Sequence, residues 1–110
     1  MFRHDRLARR LLLLALLLNG LHFVVLTVLM PRLPATVPLH VDGAGNVLLW
    51  GPPSRLFLPA VFGLLTWLAN GALGWVFYER LDQPTVAYLL WGGAVAIQIG
   101  ALLSLLLLLP

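Results

Sequence analysis

The chain is predicted to be an all-α integral membrane protein, with three transmembrane helices and a structured extracytoplasmic loop between the first two. Three observations carry that expectation. Of the 110 residues, 61% are hydrophobic and only 10% charged, whereas about a quarter of a soluble domain is charged. Three windows, residues 11–30, 56–78 and 86–109, contain no Asp, Glu, Lys or Arg, and each reaches the ~20 residues that a helix needs to cross a bilayer at about 1.5 Å per residue. The breaks between them, 31–55 and 79–85, hold most of the turn chemistry: Pro31, Pro34, Pro38, Gly43, Gly45, Gly51, Pro52 and Pro53 in the first, "ERLDQPT" in the second. The 110 residues form one membrane domain in this reading.

The chain opens with Arg3, Arg6, Arg9 and Arg10, four of its seven basic residues, all seven being arginine. The net charge of +3 is thus a local cluster and not a distributed field, and no nucleic-acid partner is expected. A positive segment before "LLLLALLL" also resembles a secretory signal, but the apolar run continues through "LHFVVLTVLM" and no small-x-small cleavage site closes it. It reads as an uncleaved anchor. Placing the N-terminus in the cytoplasm puts Arg3, Arg6, Arg9, Arg10 and Arg80 inside and leaves Arg32 and Arg55 outside, in keeping with the enrichment of positive residues on cytoplasmic flanks. The C-terminus is then extracytoplasmic. Trp50, Phe57, Trp75, Phe77, Tyr78 and Tyr88 fall near the expected interfaces, as aromatic belts do.

In the first break, "TVPLHV" alternates in character, "DGAGN" supplies residues that tolerate positive φ, and "VLLW" is β-prone. Together these predict a short β-hairpin or an ordered loop on the membrane surface. Pro34 and Pro38 restrict φ, Gly45 suits the turn, and Trp50 is placed to anchor the loop at headgroup level. His40 and Asp42, at i and i+2 of an extended segment, share a side, yet two ligands make a poor metal site. Recognition is the expected use of this surface. Pro59 falls in the first turns of the second span, where its missing N–H costs little, and the short second break forces an antiparallel helix pair.

Asn19, His22, Asn70 and Gln98 lie at mid-span, within about 5 Å of the midplane by helix rise. An unpaired amide or imidazole costs several kcal/mol in hydrocarbon, so these groups are expected to turn inward as a polar clasp, with His22 neutral and hydrogen-bonded. A ligand or proton site lacks a carboxylate partner, and haem ligation by His22 lacks a second intramembrane histidine. In the third span Gly92, Ala96, Gly100 and Ser104 repeat at i+4, a small-residue stripe that allows close helix approach. Thr66, Asn70 and Gly74 repeat likewise in the second span, and the two stripes are expected to face each other; the alternative is that the Gly92 stripe docks on another protein.

The series Leu33, Pro34, Ala35, Thr36, Val37, Pro38, Leu39, His40, then Gly45, Trp50 and Gly51, then an early helical proline at Pro59, resembles the N-terminal membrane domain of unknown function in bacterial immunity proteins against the sporulation-delaying toxin. The resemblance spans residues 11–80. Where that family commonly has an acidic residue before the tryptophan, this chain has Leu48 and Leu49. The resemblance implies a bacterial cytoplasmic (inner) membrane location and binding of a peptide toxin or signal through the outer loop.

No cysteine is present, which excludes disulfides and thiol catalysis. No P-loop or dinucleotide fingerprint occurs, and Asp5, Asp42, Glu79 and Asp82 all lie outside the apolar windows. Neither enzymatic activity nor a cofactor or metal is expected. The sequence therefore points first to a small accessory subunit of a larger bacterial membrane complex, with energy-transducing complexes among the candidates. Its partners would be the lipid bilayer and other membrane subunits. A standalone immunity or sensor protein is the second expectation. A homo-oligomeric channel or carrier using Asn19, Asn70 and Gln98 is the third.

Overall fold

The computed structural model describes residues 5–108; Arg3 and the last residue of the third predicted span, Leu109, lie outside them. Helix α1 runs Arg6–Leu29 and tightens into a 3₁₀ turn at Met30–Arg32. Strands β1 (Val37–Val41) and β2 (Val47–Gly51) follow, then a 3₁₀ turn at Pro53–Leu56. Helix α2 spans Phe57–Trp75 and continues as a π-helical turn over Val76–Arg80, and α3 spans Pro84–Leu108. The three helices are long and apolar enough to cross a membrane.

Helix α1 begins five residues before the apolar window because Arg sustains a helix well even where hydrocarbon would not accept it. Asp5 caps it: its backbone is extended, and its carboxylate accepts the Ala8 N–H at 3.0 Å. At the other end, Leu33 leaves the helix with φ −85° and ψ 145°, the extended geometry forced on a residue before proline. The helices consume most of the second break, leaving Leu81–Gln83 as the connection, shorter than the predicted 79–85. Asp82 takes φ 52° there, and Pro84 opens α3 where no N–H is needed.

The outer loop is a two-stranded antiparallel hairpin, so the fold is helical with a small sheet. Val37 pairs with Gly51, Pro38 with Trp50, His40 with Leu49 and Val41 with Val47, with irregularities on either side of His40. Asp42 organises the turn: its Oδ1 accepts the Ala44 and Asn46 N–H groups, both at 2.9 Å. Gly45 sits at φ +86°, a region that favours glycine. These hydrogen bonds draw the Asp42 carboxyl below its ordinary value, the Asn46 N–H contributing most. A hairpin alone is marginal; this one rests on the helix ends, with Val37 buried against Leu26, Leu56, Ala60 and Leu105.

The three helices pack through positions that alternate three and four residues apart. On α1 the buried residues are Ala8, Ala15, Asn19, His22 and Leu26; on α3 they are Ala87, Trp91, Ala94, Gln98 and Leu105. Helix α2 contributes Ala60, Gly63 and Gly74. This is the seam of left-handed helix packing. It differs from the expected pairing of small-residue stripes: Ala96, Gly100 and Ser104 are exposed, and a Cβ added at Gly92 or Gly100 would meet nothing within 4 Å. Large Trp91 and Gln98 occupy the seam because their polar ends find partners there, which a purely small stripe would not offer.

Candidate functional site

Polar groups join the helices at three levels. Near mid-span, Asn19 Nδ2 donates to the Ala60 carbonyl at 2.9 Å and to Gln98 Oε1 at 3.1 Å, while Gln98 Nε2 donates to the Gly63 carbonyl at 2.7 Å. One side chain from α1 and one from α3 thus meet over the α2 backbone. Gly63 makes this approach feasible, since a Cβ there would lie 2.6 Å from Gln98 Oε1 and 2.9 Å from Asn19 Nδ2. All these groups are enclosed, Asn19 being 2% and Gln98 1% exposed.

The other two predicted clasp residues behave differently. Asn70 donates to the Leu90 carbonyl at 2.9 Å, one turn or more nearer the Arg-rich end, so it ties α2 to α3 outside the Asn19–Gln98 unit. His22 is 1% exposed, yet neither ring nitrogen has a hydrogen-bond partner. The expectation of a hydrogen-bonded His22 is thus not met. The carbonyls within reach of this level are engaged by Asn19 and Gln98, whose longer amides bridge to neighbouring backbones.

At the Arg-rich end lies a cluster that sequence reasoning did not assemble. The Asp5 carboxylate accepts hydrogen bonds from Tyr88 Oη, from Tyr78 Oη at 2.9 Å, and from the Ala8 N–H. Together these hold the Asp5 carboxyl below its ordinary value, the Tyr88 hydroxyl first and the Ala8 N–H second. Tyr78 and Tyr88 meet edge to face at 6.2 Å, and both rings lie 5.7 Å from that of Trp91. Trp91 is fully buried, its Nε1 reaching the Gly71 carbonyl at 3.4 Å. Trp67 adds a tie to α1 through the Leu12 carbonyl at 2.8 Å. The available signal was topological: three antiparallel spans bring residue 5 and both flanks of the short turn to one end.

The outer end carries two grooves. One of ≈ 250 Å³ is lined by Pro34, Thr36, Val37, Pro38, Trp50 and Leu56, with Leu108. The other, ≈ 480 Å³, lies between the hairpin and the ends of α2 and α3, with His40, Asp42, Pro59 and Ser104 among its walls. The predicted loop residues are therefore divided between two surfaces, and Gly45 stays at the turn. Asp42 is committed to turn hydrogen bonds through both oxygens, and His40 is exposed on β1. Among the described residues, no three His, Asp or Glu side chains gather where they could hold a metal ion. The described polar groups hold helices together and shape grooves; they do not form a nucleophile and base pair.

No family model, curated protein or solved structure matches this chain.

Proposed function

We propose that this chain is a small non-catalytic membrane protein that assembles laterally with other membrane subunits, in the bacterial cytoplasmic membrane with its N-terminus inside. The observation that carries the reading is the face of α3 formed by Gly92, Ala96, Gly100 and Ser104. Three-helix packing uses the opposite seam, so this close-approach surface stays uncovered. In lipid, helices associate through such small-residue faces because backbones can come near one another. The test is mild-detergent purification from the source membrane, comparing the native chain with G100L. The native chain is expected to co-migrate with a partner and the variant to run alone at unchanged helicity. Recovery of the native chain only as a free monomer would refute the reading.

A second reading is favoured by the apolar groove of Pro34, Pro38 and Trp50: recognition of a peptide toxin or signal at the outer face. Here P38A, H40A or W50A is expected to abolish protection with insertion intact. Undiminished protection would dismiss it.

A further inference from the structure

We propose that the outward face at the start of α1 is a binding site for one anionic phospholipid, which the bundle holds by its phosphate and one acyl chain. Arg6, Arg9, Arg10 and Leu13 line a recess of ≈ 420 Å³. Their spacing of three and four residues puts them on one side of the helix. The carboxylate nearest in sequence, Asp5, does not neutralise them, because Tyr78 and Tyr88 hold it on the bundle side. Among the described residues no carboxylate pairs with any of the three guanidiniums.

Beneath the recess the same face continues as Leu13, Leu17, Leu21 and Val24, each at least half exposed, so a guanidinium cluster stands directly above an apolar track. Arginine binds phosphate in a planar bidentate manner, and a guanidinium is more weakly hydrated than an ammonium. Three such groups at the boundary of the apolar window match a phosphodiester at headgroup depth, with the acyl chain lying along the leucines. A soluble acidic ligand would use the arginines and leave the track unused. This combination distinguishes a lipid site from general attraction of basic residues to an anionic surface.

The experiment uses the full chain, stripped of native lipid in mild detergent. It is titrated with phosphatidylcholine, phosphatidylglycerol or cardiolipin of matched acyl chains, and bound lipid is counted by native mass spectrometry. One phosphatidylglycerol or cardiolipin is expected to bind where phosphatidylcholine does not. The R6Q/R9Q/R10Q chain should bind it roughly 100-fold more weakly, and R6K/R9K/R10K should retain most of the affinity. The water-soluble glycerophosphoglycerol headgroup should not compete. Raising the salt should weaken binding to the unaltered chain, a test that needs no variant to fold. Equal binding of phosphatidylcholine, full binding by the glutamine variant, complete competition by the soluble headgroup, or indifference to salt would each overturn the assignment.

Discussion

Gly74 and Trp91 meet with no space between the α2 backbone and the indole: a Cβ added at Gly74 would overlap Nε1, Cε2 and Cδ1 of the ring. The glycine is what lets a fully buried tryptophan sit between two helices and under Tyr78 and Tyr88. Gly74→Ala is therefore expected to destabilise the bundle by about 1–3 kcal/mol, the usual cost of overpacking. Gly20→Ala, where a Cβ meets nothing within 4 Å, should be neutral or slightly stabilising. Reversible unfolding in mixed micelles, followed by tryptophan fluorescence, reads both.

The Asn19–Gln98 contact should appear as a coupling. Asn19→Leu and Gln98→Leu each leave a backbone carbonyl of α2 without its donor, at Ala60 or Gly63. A double-mutant cycle is expected to give about 0.6–1.7 kcal/mol of interaction between them. Strict additivity would show that the two amides act separately.

His22 supplies the opposite sign. It is enclosed without a hydrogen bond on either nitrogen, so an apolar residue of similar volume removes a desolvation cost and forfeits no bond. His22→Leu is expected to stabilise the bundle by about 1–3 kcal/mol. A raised unfolding midpoint in the same micelle assay checks this.

Acid should loosen the Arg-rich end. The folded Asp5 carboxyl titrates below its ordinary value of 3.8, so folding binds fewer protons there than the unfolded chain does. The stability this contributes is fully present above that ordinary value and is lost as pH falls through the lower folded value. Lowering the pH from about 6 to about 3 should depress the melting temperature of the native chain more than that of Asp5→Asn.

The spans and the hairpin were legible because each rests on a local rule: length of apolar run, or turn residues between β-prone segments. The rotation of the helices was not. Helix α3 is apolar all round, so Ala87 and Ala94 on one side and Ala96 and Gly100 on the other carry the same composition signal. What separates them is which face also holds Trp91 and Gln98, polar ends that need partners in hydrocarbon. For Asn19 and Gln98 that rule led to the contact. For His22 it failed, because the need for a partner does not ensure that a carbonyl lies within reach. The Asp5, Tyr78 and Tyr88 cluster was hidden for another reason: its members are 73 and 83 residues apart in the pairs that touch, and only the closed bundle brings them together.

The wide turn at Val76–Arg80 decides who neighbours whom at that end. On an ordinary helix, residues five apart point about 140° away from each other, yet Arg80 lies over the Trp75 ring at 5.3 Å, after a Leu81 to Val76 bond of 3.1 Å closes the expanded loop. Deleting one amino acid from this segment would restore the regular pitch and swing everything downstream by about 100°. The phenol of Tyr78 would then turn from Asp5, and the cation would leave its aromatic seat. The insertion-like swelling acts as a spacer that brings the tail of one span into phase with the head of another.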